Sequence, residues 1–421
     1  MAGKRAGRPG VELVTEWVHV HLVPLAAAAA LAVVSVNYVL WWGPAVQHVD
    51  VWQTPGDMWH TYSATSELIH GHLSRLYSSR TYIDTFPGIL VLMAPEVALS
   101  QALHLQPGMP LTAVTTPLSW LVLGPVDLVA GCFVLFPLDA LARSLGVPTR
   151  RRAVLALLEA AALWNPIVWN WHPEDPLAVA FGLYALLAAF SGRWRRCGWL
   201  LGAGVAFQPL VLVVLPAILA LAPRGSRLAL VVRSAVPATV LLAGPLAVDL
   251  GGTLHNIVGQ PSSYILDHPT PWTRFAHHLG AGRVQAGPPR TVAVALAAVI
   301  GWSVCRRTSR TDLVIWVVAA TLAVRNGFEA AMVGYYTWPA LAVALLVSAR
   351  AGRVRFAATG ALVMFATGFA ELGWRGPWAW WSVVMVSLVA VLALAFPVRS
   401  ADTSSPSPPR GDRHDTAPAL Q

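Results

Sequence analysis

Charge is scarce in this chain. Asp, Glu, Lys and Arg make up 12% of its 421 residues, about half the share found in soluble domains. So few ionised groups cannot cover a water-facing exterior when 56% of the residues are hydrophobic. Lysine is nearly missing: Lys4 is the only one, and arginine carries the rest of the positive charge. Cysteine is sparse as well. Cys132 lies inside an apolar run, and Cys197 and Cys305 flank basic clusters, which excludes a disulfide or thiolate framework. Nucleotide motifs are also missing. The chain has no Walker-type loop, no G-x-G-x-x-G after a strand, no H-E-x-x-H and no placeable Ser-His-Asp arrangement.

What the chain has is long apolar runs, of the roughly 20 residues that cross a hydrocarbon core. Its net charge of +9 invites a nucleic-acid partner, but the basic residues form no single patch. They recur in small groups between apolar runs: Arg150-Arg151-Arg152, Arg193 with Arg195-Arg196, Arg224 and Arg227, Arg306-Arg307, and Arg350 with Arg353 and Arg355. That is the positive-inside pattern of a membrane protein, and no nucleic acid is expected. Nineteen tryptophans suit many helix ends at membrane interfaces.

The expected fold class is all-α: a polytopic protein of the cell membrane with about twelve transmembrane helices. Residues 1–21 form a cytoplasmic N-terminus, and 22–42, ending in Trp41-Trp42, is an uncleaved first span. Further spans are read at 118–140, 153–171, 176–191, 197–208, 209–222, 228–249, 291–304, 312–324, 330–349, 356–372 and 377–396. The pair 197–208 and 209–222 makes a tight hairpin turning at Gln208-Pro209. The single domain covers 22–396, with external loops at 43–117 and 250–290. Residues 397–421, rich in Ser and Pro, read as a disordered cytoplasmic tail. Segment 88–105 carries Pro95, Glu96, Gln101 and His104 and reads as an in-plane helix. If it crossed, the Arg143–Arg152 group would fall outside. On this layout seven of the 29 basic residues (Arg75, Arg80, Arg274, Arg283, Arg290, Arg325 and Arg375) are external.

Chemistry concentrates on the external side. Residues 50–87 hold Asp50, Asp57, Glu67 and Asp84, the histidines His60, His70 and His72, and the tyrosines Tyr62, Tyr77 and Tyr82. The first short turn holds His172, Glu174 and Asp175, with Pro173 and Pro176 stopping one helix and starting the next. Asp175 fits either a helix cap or a functional acid. A second turn brackets Arg325 and Glu329 four residues apart. They fit either an ion pair of small worth or a guanidinium aimed at phosphate. Tyr335 and Tyr336 follow as belt aromatics or site residues. Asp127 and Glu159 fall inside adjacent spans, where acids are costly and are functional or paired. Acids and histidines are plentiful enough for a divalent metal, but no ligand spacing selects one.

The layout resembles the GT-C superfamily of integral-membrane glycosyltransferases. Within it, the layout resembles the bacterial polyprenyl-phosphate-mannose-dependent mannosyltransferases. The resemblance covers roughly residues 20–350. Its carriers are Gly56–Tyr62 (GDMWHTY), Gly71–Tyr77 (GHLSRLY), Tyr82–Pro87 (YIDTFP), Asn165-Pro166, His172–Leu177 (HPEDPL), Gly202–Leu210 (GAGVAFQPL), Arg325–Glu329 (RNGFE) and Tyr335–Pro339 (YYTWP).

The resemblance implies an inverting transfer of a sugar, mannose by likeness, from a polyprenyl-phosphate donor to an extracytoplasmic glycan or glycolipid acceptor. Asp57 would be the general base, with Asp50 as second candidate. His60, Tyr82, His172, Glu174, Asp175, Gln208, Glu329 and Tyr335 would contact donor or acceptor. Gln208 stands where many relatives carry lysine, so the leaving phosphate needs another cation. Arg325 is the first candidate and Arg274 the second. Two other classes remain: a transporter or flippase of a lipid or small solute, which Asp127 and Glu159 favour, and a non-catalytic membrane assembly factor.

Overall fold

The computed structural model describes residues 9–42, 55–77, 83, 85–105, 107, 117–372 and 376–398. Asp50, Asp84, Tyr82, and all of the Ser/Pro-rich tail beyond Val398 lie outside the described residues.

Helix accounts for 77% of the described residues, which makes the protein all-α. The first helices are α1 (Pro9–Asn37), α2 (Gly56–Ile69), α3 (Gly88–Ala102), α4 (Pro117–Cys132) and α5 (Leu135–Ser144). α6 (Thr149–Leu163), α7 (Glu174–Phe190), α8 (Trp194–Phe207), α9 (Leu215–Leu221) and α10 (Arg224–Val248) follow. The rest are α11 (Leu250–Ile257), α12 (Pro288–Cys305), α13 (Thr311–Asn326), α14 (Trp338–Ser348), α15 (Arg353–Ala370) and α16 (Pro377–Ala395). Among the described residues, six helical segments are long and apolar enough to cross a membrane: Glu16–Trp41, Leu118–Ser144, Thr149–Trp169, Arg224–Val248, Pro288–Cys305 and Trp378–Ala395. The protein is a membrane protein on that basis.

Local chemistry sets several boundaries. Gly192, at φ +67°, closes α7 in the left-handed region that glycine enters at little cost. Gln208 is extended (φ −152°, ψ 126°) because the ring of Pro209 disfavours a helical residue before it. The expected hairpin therefore turns where the sequence placed it. α8 packs most closely on α7 and α10. Gly198 and Gly202 make the contact with α10 possible: a Cβ on Gly202 would strike the Arg233 carbonyl and the Pro237 ring.

α14 is buried at every position from Trp338 to Ser348, as befits a short helix that is apolar all round. Segment 330–349 is not the single helix read from its hydropathy. Ala331–Met332 forms strand β5, Gly334–Thr337 is a 3₁₀ turn, and α14 begins only at Trp338. Backbone pairing with His268–Pro269 (β2) keeps Ala331 and Met332 extended. Pro339, at the start of α14, then suits a helix beginning there. The stretch between α11 and α12 carries β2 and a small antiparallel sheet of Ser262–Ser263 (β1), His278–Gly280 (β3) and Arg283–Val284 (β4), in the order β1-β4-β3.

Connectivity sorts the polar groups to opposite helix ends. α6 starts in Arg150–Arg152 and leads to His172; α7 starts at Glu174 and ends before Arg193. α8 returns to Gln208, and α13 runs from beside Arg310 to Arg325. The arginine groups therefore share one end of the bundle, and His172, Glu174, Asp175, Gln208 and Arg325 share the other. The seventeen residues of α7 separate the two ends by roughly 25 Å.

Candidate functional site

His172 organises this end. α6 passes into a π-helical turn, Trp164–Trp169, with Pro166 inside it. Such widened turns recur at functional sites. Trp171 is left-handed (φ 60°) and its side chain is fully buried. A bulky residue rarely adopts that conformation. The backbone N–H of His172 donates to the Pro166 carbonyl at 2.6 Å, which ties the next residue to the π turn.

The imidazole joins three elements. Its Nδ1 is 2.7 Å from Glu174 Oε1, and its Nε2 is 2.8 Å from Asp57 Oδ2, at the start of α2. The Tyr335 hydroxyl lies 2.7 Å from the same Nε2, and the two rings stack with centroids 4.3 Å apart. Burial alone would lower the His172 pKa, but Glu174 and then Asp57 raise it well above the usual 6.5. As an imidazolium it donates Nδ1–H to Glu174 and Nε2–H to Asp57, with the tyrosine oxygen beside the second bond. Burial would raise the Asp57 carboxyl, but the charge and hydrogen bond of His172, and then His60, hold it below its ordinary range. The Glu174 side chain is 1% exposed and that of Asp57 is 43% exposed. Glu174 is therefore a hidden brace, and Asp57 is the carboxylate a substrate can reach.

A second group adjoins the first. The Gln208 amide lies beside Asp175, which is also in the field of His172 and Arg325. Arg325 Nε donates to Glu329 Oε1 at 2.7 Å, and its guanidinium sits 5.0 Å from the centre of the Tyr336 ring. The ion-pair alternative for Arg325 and Glu329 is thus realised. Among the described residues, no hydrogen bond occupies the two terminal nitrogens of Arg325. Arg290 holds the other oxygen of Glu329, through Nε at 3.2 Å and through Nη2. The Glu329 side chain is 1% exposed, and burial would raise its pKa. Arg290 and then Arg325 bring it below the usual value.

Arg290 is the residue the sequence reading missed as a site group. A signal existed: it stands in the first turn of α12, where the helix dipole disfavours a cation without a partner. His60 lies in the field of Asp57, with its ring edge-on to Trp59. Arg274 is exposed, with its guanidinium over the Phe275 ring at 4.5 Å, and none of its contacts reaches the cluster. Asp50 and Tyr82 lie outside the described residues. Asp127 is within electrostatic range of Glu174, Glu96 and His172. Glu159 is a separate buried acid, and neither it nor Asp127 has a hydrogen-bond partner among the described residues. No group of three or more His, Cys, Asp or Glu poised for a metal occurs among the described residues.

The chain matches no protein-family model, and no curated protein shows significant similarity to it.

Proposed function

We propose that the protein is a glycosyltransferase of GT-C type that moves a sugar, mannose by resemblance, from a polyprenyl-phosphate donor to a glycan or glycolipid acceptor. The observation that carries this is the half-exposed Asp57 carboxylate, fixed by His172, which is fixed in turn by the buried Glu174. A general base must first be placed within hydrogen-bonding reach of the attacking hydroxyl. Asp57 would take the hydroxyl proton as the acceptor oxygen bonds the anomeric carbon. The bond from that carbon to the phosphate oxygen breaks on the opposite face, and configuration inverts. His172, held as a cation, keeps Asp57 ionised and aimed.

The departing phosphate needs positive charge in a site of low dielectric. Arg325, whose terminal nitrogens make no hydrogen bond among the described residues, serves that role, and Arg290 supports it through the shared carboxylate. The arginine groups at the opposite helix ends favour a cytoplasmic placement there by the positive-inside rule. The site would then face the extracytoplasmic side of the cell membrane, where a lipid-borne donor is the sugar source to hand. With the shorter helices also crossing, the spans total about twelve; 88–105 would lie in the interface.

One observation favours a second reading, a proton-coupled lipid or solute transporter. Asp127, inside a span, has no hydrogen-bond partner among the described residues and lies within electrostatic range of His172. The discriminating experiment is transfer from a polyprenyl-phosphate sugar to acceptor, with purified protein in nanodiscs. Asp57→Asn should keep insertion and folding but lose transfer by roughly 10²-fold or more. Undiminished transfer by Asp57→Asn removes it as the base, and no transfer by the wild type favours transport.

A further inference from the structure

At the arginine-rich end, several guanidinium groups have a structural task. Arg151 donates to the carbonyls of Ala349 and Ala351. Arg143 and Arg152 share Asp139, and Arg310 and Arg350 share Asp312. Arg355 donates to the carbonyls of Leu394 and Phe396. Arg193, Arg195 and Arg196 differ: all three are exposed, and among the described residues no acid or carbonyl engages them.

These three arginines line one recess. It is an open hollow of about 780 Å³ whose walls also include Trp194, Trp199 and Leu200. A smaller hollow of about 120 Å³ shares Arg193, Arg196 and Leu200 and adds Tyr184 and Leu187.

We propose that Arg193, Arg195 and Arg196, with Trp199, bind the phosphate-bearing headgroup of an anionic membrane lipid. Two chemistries meet in this hollow. Guanidinium forks match phosphate oxygens in charge and geometry. Indoles and leucine beside them suit the glycerol backbone and first methylenes of an acyl chain, at the depth where tryptophan settles in a bilayer. A free phosphate ion would gain from the arginines but nothing from Trp199 or Leu200, so the occupant is a lipid. The site stands at the opposite end of α7 from His172 and owes nothing to the transfer chemistry.

The test is native mass spectrometry of the full chain in detergent, titrated with phosphatidylglycerol or with phosphatidylcholine. Each basic residue near an anionic surface contributes about a fivefold factor in affinity. Arg195→Gln/Arg196→Gln should therefore weaken phosphatidylglycerol binding roughly thirtyfold and leave phosphatidylcholine adducts unchanged. Trp199→Ala should weaken the same binding while keeping every charge, and Arg306→Gln/Arg307→Gln should leave it intact. Added salt should weaken it too, because the arginines stay exposed. Circular dichroism and size-exclusion profiles confirm that the variants fold. Equal affinity for the two lipids, unchanged binding by the Arg195/Arg196 variant, or competition by inorganic phosphate as strong as by lipid would each overturn the proposal.

Discussion

The imidazole of His172 and the carboxylate of Asp57 meet at 2.8 Å across 115 positions of sequence. Neither residue can hold this geometry alone. Asp57 comes from the first turn of α2, and His172 hangs from the π turn that follows α6. The contact makes each group's protonation depend on the other.

That dependence sets a pH profile for stability. The folded pKa of His172 is raised above its usual 6.5. Its contribution is complete below about 6.5 and is lost as pH rises through the elevated folded value. Asp57 is depressed below its usual 3.8. Its contribution is present above about 4 and is lost as pH falls through the depressed value. The pair therefore stabilises most between about pH 4 and 6.5. Melting temperatures of wild type and His172→Gln in detergent should differ most in that window and converge toward alkaline pH. A difference that stays flat from pH 5 to 9 would contradict the charged state assigned to His172.

Glu329 carries two guanidinium groups on one buried carboxylate. Glu329→Gln leaves both cations without their counter-ion, a loss of roughly 3–5 kcal/mol for a broken buried pair. Arg290→Ala should cost less, because Arg325 still neutralises Glu329 and the Arg290 side chain is 20% exposed. Thermal or denaturant unfolding in detergent orders the two variants. An Arg290→Ala protein less stable than Glu329→Gln would show that Arg290 acts through some other contact.

Gly334 precedes Tyr335 at a point of close approach. A Cβ there would collide with Glu371 Oε1 and come within 3.0 Å of the Ala370 carbonyl. Gly334→Ala should destabilise by roughly 1–3 kcal/mol and displace the tyrosine that stacks on His172. Adding Glu371→Ala removes the nearer obstacle and should recover part of both stability and transfer. No recovery in the double variant would mean that the carbonyl, a fixed group, is the true barrier.

Topology is open to labelling. The three native cysteines are buried, so background reaction is low. Single cysteines placed at Ser191, on the arginine-rich end, and at His278, beyond α11, should react with an impermeant maleimide from opposite sides of the membrane. His278→Cys should label from outside intact cells. Labelling of both from one side would dismiss the two-ended arrangement.

Parts of this arrangement were legible in the residues alone. His172, Glu174 and Asp175 stood out because three polar groups around two prolines are rare in so apolar a chain. The turn at Gln208-Pro209 followed from proline sterics. Other parts depended on contacts far apart in sequence. Arg290 meets Glu329 across 39 positions, and Tyr335 reaches His172 across 163, so no local pattern names either one's partner. Arg274 was attractive as a cation in an external loop, but the fold turns it onto Phe275. The extended stretch at Ala331–Met332 escaped for the same reason: hydropathy cannot see the strand that pairs with it.

The site is spread along the chain from Asp57 to Tyr335, and that spread orders its birth. As the ribosome delivers the protein, Asp57 emerges first and waits through α3 to α6. His172 and Glu174 arrive almost together, so the central brace can close before the second half of the chain exists. The guanidinium of Arg325 and the ring of Tyr335 come last, after α12. A chain released between Glu174 and Arg290 would hold an aimed carboxylate with no cation from Arg290 or Arg325 opposite it. Such a fragment would be assembled in the part that takes a proton and blank in the part that receives a leaving group.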